Sequence, residues 1–593
     1  MSSPFWFVLL ALICYFIAYR VYGRWYDRAV WKPDRSRTTP AHMYADGVEY
    51  FPVSKYVLWG YQFKSVAALG PVLGPFIAIQ FGWLPALIWI VLGNFFIGWL
   101  QDYGAIMVSI RNQGRSFGPI SYEFTGAGGR NTLLGFILVY LLIISATFIF
   151  LIALFWKIFP GTPVATLGVL ITGIVVGQLL YRVKMNIGLV TVIALALLVL
   201  SIVAGNFLQV PASFNTALGG WSIPFWALIC CIVLYLGSVL PLPTFIQPIN
   251  FVSFFPTFLA VILILIGALV SPLTGITIHQ PAVVSWYANN LGPIWPILFV
   301  AIACGAISGW HSLVSSSSTS KQLDVETDAY PIGAGAMLSE GLLALASLAA
   351  YVVVAKASSL GNVGAWVSGA VSLTSPFLGG AGSASFLQVY FGLALILFAI
   401  TVQALVTRFW RLVSAEIVGE GALRVFGQKH VATFVGLLIP FAFAVTGSWW
   451  NLWLYFGGAN QLMAALALWL ISIHLVRTRA PSLFTLIPAI FMTITTLAAI
   501  GFEAYYFLNA VLVGKPLFST TPGTPLSAPS LEKMSPEAVT ENLVFNGIFF
   551  VVGIVLFVLG LRMAWLVLQS YLRSRPAAPE APAGVQQAPG AGD

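Results

Sequence analysis

The chain has 593 residues, 59% of them hydrophobic and 8% charged, with a mean hydropathy of +0.94. A soluble domain carries about 25% charged residues, so the composition is that of an integral membrane protein. The formal net charge of +9 would suit a nucleic-acid partner, but the placement of the basic residues, described below, argues against one.

At about 20 apolar residues per crossing, the chain divides into fifteen expected helices. They fall near 4–22, 56–80, 84–110, 132–158, 163–181, 187–208, 222–240, 251–271, 294–318, 333–355, 386–407, 431–447, 450–475, 482–507 and 543–567. The first apolar stretch, Phe5 to Ala18, has no basic leader and no small-residue cleavage site, so it reads as a spanning helix. Glycine (55) and tryptophan (20) are plentiful, which suits close helix packing and interfacial belts. The cysteines, Cys14, Cys230, Cys231 and Cys304, lie in apolar runs and offer neither a disulfide framework nor metal-ligand spacing.

Lysine and arginine set the orientation. With the N-terminus outside and the C-terminus cytoplasmic, 22 of the 27 basic residues fall in inner loops. Only Lys157, Lys356, Lys515 and Lys533 lie outside, and Lys64 is within a helix. The positive charge is therefore a topology signal. Three pieces do not span: residues 409–428, expected as an interfacial helix; residues 510–541, the longest outer loop; and the Pro- and Ala-rich tail 576–593, disordered by composition. Residues 1–575 form one transmembrane domain.

The stretch 56–80, YVLWGYQFKSVAALGPVLGPFIAIQ, breaks two rules of a spanning helix. Lys64 sits among apolar neighbours, and the pairs Gly70-Pro71 and Gly74-Pro75 remove backbone donors. Unpaired carbonyls are tolerated at membrane depth only inside protein or beside a water-filled cavity. A broken helix next to a buried polar group points to a transport site.

Other intramembrane ionisable groups are Asp102, Glu340 and Glu503. Asp102 lies nine residues before Arg111, hence about 13 Å deep, and Lys64 is at similar depth, so a Lys64–Asp102 pair is geometrically open. The alternative is that Lys64 snorkels inward and Asp102 serves packing. His311, in CGAISGWHSLVSSSSTSKQLD, could carry a proton or simply bond a backbone carbonyl. Ser315, Ser316, Ser317, Ser318 and Thr319 offer oxygens for a hard cation, or close helix approach. Asp324, Glu326 and Asp328 read as solvated charge, and Asn460-Gln461 as a polar pair within a helix. Pro241 and Pro243 mark a second expected break.

With the first helix an addition, the two expected breaks fall on core helices one and six, and the serine-rich helix on core helix eight. That is the order of a five-plus-five inverted-repeat (LeuT/APC-like) transporter. Lys64 would stand in for a bound cation, making coupling proton-based or absent.

The stretches DGVEYFPVSKYVLWGYQF, ALGPVLGPFIAIQFGWLPALIW, QDYGAIMVSIRNQGRSFG, ACGAISGWHSLVSSSSTSKQL, GAMLSEGLLA and FGGANQLMAALAL resemble, in the same order from about residue 46 to 475, the carbon starvation protein A family of bacterial inner-membrane transporters. The resemblance implies a transporter used in nutrient limitation, with pyruvate and short peptides as substrates and proton coupling. By matching motif it carries over Gly70, Pro71, Gly74, Pro75, Asp102, His311, Ser315, Ser316, Thr319, Glu340, Asn460 and Gln461. Where the family has Gly-His-His-Phe, this chain has Gly60-Tyr61-Gln62-Phe63 and then Lys64. A carboxylate expected before Thr407-Arg408 is replaced by Gln403, Ala404, Leu405 and Val406.

The reading is an all-α polytopic transporter importing a small organic acid or short peptides. Lys64, Gln62, Gly70, Pro71, Gly74, Pro75, Asn460 and Gln461 are expected at the substrate. Asp102, His311, Ser315, Ser316, Thr319 and Glu340 are expected to couple a proton or sodium ion. No cofactor, metal, catalytic residue or nucleic acid is expected, and the partners are substrate and membrane lipid, with oligomeric state open. Competing readings are a sodium-coupled or uncoupled amino-acid or peptide transporter and, more distantly, a channel or a membrane-embedded enzyme.

Overall fold

The computed structural model describes residues 3–47, 49–241, 244–288, 291–355, 364–419, 423–445, 449–514 and 535–574. Among them, twelve helices are long and apolar enough to cross a membrane. A helix keeps its own backbone hydrogen bonds, so segments this apolar can lie in lipid without unpaired N–H or C=O groups.

In chain order the elements are α1 (Phe5–Trp31), a split pair α2 (Lys55–Val66) and α3 (Gly70–Ala78), then α4 (Trp83–Arg111) and α5 (Phe117–Ile158). Next come α6 (Thr162–Arg182), α7 (Ile187–Phe207), α8 (Ser222–Val239) and α9 (Ile246–Thr274). A second split pair follows, α10 (Ile294–Ala301) and α11 (Gly309–Ser317), then α12 (Ala329–Val352), the short α13 (Ala365–Thr374) and α14 (Ala384–Val418). The chain closes with α15 (Lys429–Val445), α16 (Trp449–Arg477), α17 (Leu483–Val513) and α18 (Pro536–Ser574).

The centre is built by α2 to α4, α10 to α12, α14 and α16. About 94% of the apolar windows of α14 and α16 is covered by protein, against 28% for α1, α7 and α18, which leaves the latter three as the lipid-facing periphery. α12 packs on α2, α3 and α4, while α16 packs on α4, α5, α10 and α11.

Three expectations change. Residues 409–418 continue α14 instead of starting a separate helix; Trp410 and Val413 are buried, while Leu412 and Ile417 are exposed. Pro241 follows the end of α8 in a connection between two spans, so the Pro-Leu-Pro stretch does not interrupt a single helix; Leu242 and Pro243 lie outside the described residues. Residues 510–513 belong to α17, whereas most of the expected outer loop, 515–534, and the tail from 575 lie outside the described residues.

Candidate functional site at two facing helix breaks

The first break lies at residues 67–69. Ala67 leaves the helix with extended backbone, Leu69 returns to helical angles, and α3 opens at Gly70 with Pro71 in its first turn. A proline there gives up an N–H that would be unpaired anyway. The Gly70-Pro71 pair thus starts the second half-helix instead of breaking the first. Pro75, expected to interrupt as well, sits inside α3.

The second break, residues 302–308, contains no proline. Ile302 and Ser308 take non-helical angles between α10 and α11. The serine-rich segment is therefore the second half of a broken helix, not a continuous one. The two breaks touch. A Cβ on Gly70 would collide with the Cys304 side chain, one on Gly74 would lie 2.9 Å from Ile302 Cα, and one on Gly305 would meet Pro71. Gly70 and Gly74 allow α3 to approach the second break this closely, while Gly305 makes room chiefly for Ala344.

Side chains satisfy the unwound carbonyls. Gln461 donates to Phe299 O at 2.8 Å and Ile302 O at 3.2 Å. Trp453 donates to Ala301 O, Asn94 to Gly305 O and Gln101 to Ser308 O at 2.7 Å. Asn460 Oδ1 accepts the backbone N–H of Trp310 at 3.0 Å and the Tyr140 hydroxyl at 3.0 Å. The Trp310 indole in turn donates to Ser65 O at 2.9 Å, tying one break to the other. Asn460 and Gln461, both expected at substrate, bond the backbone of the second break.

Beside the breaks three ionisable groups converge with no exposed surface. His311 Nδ1 lies 2.9 Å from Asp102 Oδ2, and His311 Nε2 lies 2.7 Å from Glu340 Oε2. The second is a close imidazole–carboxyl contact whose alignment falls outside hydrogen-bond geometry, and Asp102 Oδ1 and Glu340 Oε1 carry no hydrogen bond. Each residue comes from a different helix, α11, α4 and α12, so one imidazole bridges two carboxylates at the junction of the bundle. Such a cluster can hold and exchange protons.

Lys64 does not pair with Asp102. Its ammonium, 1% exposed, donates to Leu397 O at 3.1 Å and Thr401 Oγ1 at 2.6 Å on α14, and lies 5.4 Å from the Phe398 ring centroid. The α2 helix turns Lys64 toward α14, whereas Asp102 faces α11. No carboxylate pairs with Lys64 among the described residues. Gln62 donates to Ser315 Oγ at 2.9 Å and accepts from Thr319 Oγ1. The Ser316 hydroxyl donates to Ser312 O at 2.7 Å, within its own helix. The hydroxyl run thus stitches α2 to α11 and caps helix carbonyls. Glu503 is buried on α17, away from this cluster.

Sequence reasoning did not find Asn94, Gln101, Tyr140 or Thr401. Polar side chains in otherwise apolar helices were the available signal. Asn94 and Gln101 serve carbonyls of the break that no proline marked, Tyr140 bonds Asn460, and Thr401 receives Lys64.

A family model described as "Carbon starvation protein CstA" matches residues 3–360 and 356–499. Among curated relatives, "Peptide transporter CstA" of Campylobacter jejuni is 27% identical over 571 residues, covering 84% of this chain and 79% of that protein. "Pyruvate/proton symporter BtsT" of Escherichia coli is 33% identical over 372 residues, covering 59% of this chain and 49% of that protein. "Peptide transporter CstA" of Mycobacterium tuberculosis is 30% identical over 357 residues, 58% of this chain and 46% of that protein. The chain thus spans about half the length of the latter two. Among solved structures, a manganese transporter of Eremococcus coleocola aligns with a TM-score of 0.38 and 13% identity over 89% of this chain and 99% of that one.

Proposed function

The chain belongs to the carbon starvation protein CstA family, and from that premise we propose that it is a secondary active transporter importing a small organic acid or short peptides across the cytoplasmic membrane under carbon limitation, driven by protons. The observation that carries this reading is the pair of facing breaks with the Asp102–His311–Glu340 cluster sealed beside them. Unwound backbone at membrane depth, enclosed by protein, is where transporters place substrate and coupling ions. Protons arriving at His311 would alter its attraction for carboxylates on α4 and α12, which is how a protonation step biases helix positions.

An inverted repeat fits the packing. One unit is α2/α3, α4, α5, α8 and α9; the other is α10/α11, α12, α14, α15 and α16, with α6 and α7 inserted as a hairpin. The exchange is reciprocal: α9 packs on α2, α12 and α14, and α16 packs on α11, α4 and α5. α8 packs on α5 and α14, and α15 packs on α14 and α5. Counted once each, the two split pairs and α15 join the twelve long helices to make fifteen crossings, with the N-terminus outside. In this register the second break is core helix six and α14 is core helix eight, so Lys64 bridges core helices one and eight as a tethered cation. That supports sodium-independent transport.

Reconstitution into proteoliposomes tests the reading. Labelled pyruvate or dialanine should accumulate saturably under an inward proton gradient and equally with or without sodium. Accumulation only with sodium removes proton coupling, and non-saturable equilibration without accumulation makes the protein a channel.

A further inference from the structure

Resting on the transport reading, we propose that a cavity at the basic end of the bundle is the inward-facing substrate site, and that Arg408 there binds the carboxylate of the substrate. The cavity, about 310 Å³, lies between α2, α11 and α14 and is walled by Tyr61, Trp310, Ser318, Lys321, Arg408 and Glu416 among others. Ligand pockets begin at about this size. A three-carbon acid or a dipeptide fits, a large solute does not.

Charge on the walls selects the ligand. Four ionised side chains line the cavity, Glu49, Lys321, Arg408 and Glu416. Both acids are already matched: Lys321 Nζ meets Glu49 Oε2 at 2.6 Å, and Arg130 meets Glu416 Oε1 at 2.7 Å. Arg408 makes no ion pair among the described residues and bonds only the backbone, donating from Nη1 to Leu240 O at 3.0 Å. The guanidinium therefore retains further N–H donors, and it is the one ionised wall group without an ion-pair partner among the described residues. A guanidinium fork matches a carboxylate in a bidentate fashion, so the occupant carries a terminal carboxylate.

The inner wall sets the rest. Trp310 is 3% exposed, has its indole N–H on Ser65 O directly before the first break, and packs edge-on to Phe409 at 5.9 Å. Its ring forms the end of the cavity nearest the breaks, so an anion on Arg408 would lie with its apolar part toward Trp310 and Tyr61. Neither Arg408 nor Trp310 was among the expected site residues.

A terminal carboxylate belongs equally to pyruvate and to a peptide, and the test separates them. Binding of labelled pyruvate and labelled dialanine to the purified full chain is measured, with dialanine amide as competitor, in wild type, Arg408→Gln, Arg408→Lys and Arg411→Gln. Arg411 is the control because it likewise donates to a backbone carbonyl, Ser238 O at 2.8 Å, yet does not line the cavity. Arg408→Gln should weaken the bound acid at least tenfold, Arg408→Lys less, Arg411→Gln hardly at all, and the amide should not compete. If Arg408→Gln does not fold, Arg408→Lys carries the test with a threefold or greater loss. Wild-type affinity in the Arg408 variants, or equal competition by the amide, overturns the site alone. Binding of neither acid by wild type overturns both the site and the transport reading.

Discussion

Lys64 shows what a single residue reveals from sequence and what it hides. A charge in an apolar run announces itself, but its partner depends on which way the helix is rotated, and two residues at equal depth need not face each other. Lys64 turns to Thr401 and Leu397 on α14; Asp102 turns to His311. A buried ammonium without a counterion is costly, and Leu397 O already accepts the Thr401 hydroxyl at 2.6 Å, so little is orphaned when the charge goes. Lys64→Met is therefore expected to unfold at or slightly above the wild-type temperature in detergent while substrate accumulation falls at least tenfold. Accumulation at the wild-type rate would show that the lysine is only filler. His311 gives the matching pH test. His311→Gln keeps a donor between the two carboxylates but cannot carry the charge, so proton-driven accumulation should be lost while substrate exchange across equal pH persists. Loss of both would assign the cluster to structure.

At the scale of the element, the first break was legible from Gly-Pro spacing and the second was not, because Ala303 to Gly309 reads as an ordinary small-residue stretch. Prolines are one way to interrupt a helix. Here a chain of borrowed hydrogen bonds from Gln461, Trp453, Asn94 and Gln101 makes the interruption possible with no proline at all. Pro241 drew attention instead, and it lies in a plain connection where breaking a helix costs nothing. The glycines of α3 are the element's other device. Gly70→Ala would drive its methyl into the Cys304 side chain, an overpacking cost of about 1–3 kcal/mol. The double variant with Cys304→Gly should recover part of that loss in thermal unfolding, since it removes the atoms struck. Equal stability of the single variant and wild type would mean the two breaks are not held in contact.

For the whole molecule, the sequence reading treated Glu326 as solvated charge, because an acidic cluster in a loop usually is. The fold places it 1% exposed, accepting from Arg37 at 2.9 Å, Arg111 at 2.8 Å and the Asp34 N–H at 2.8 Å. Arg111 also donates to Trp31 O at 2.7 Å, and Val53 N–H bonds Gln322 O at 3.0 Å. The segment leading into α2, the segment leaving α11 and the Arg111 end of α4 are thereby fastened together. The energetic ranking follows from exposure. Glu326→Gln leaves the Arg111 guanidinium, 18% exposed, without its counterion, a loss of about 2–4 kcal/mol once partial solvation is allowed for. Arg37 is 49% exposed, so Arg37→Gln should cost about 1 kcal/mol or less and shrink further in high salt. Thermal unfolding in detergent at two salt concentrations reads the order, Glu326→Gln most damaging, Arg111→Gln next and Arg37→Gln least. An Arg37→Gln loss equal to that of Glu326→Gln would place the fastening at the loop surface instead of at the Arg111 end of α4.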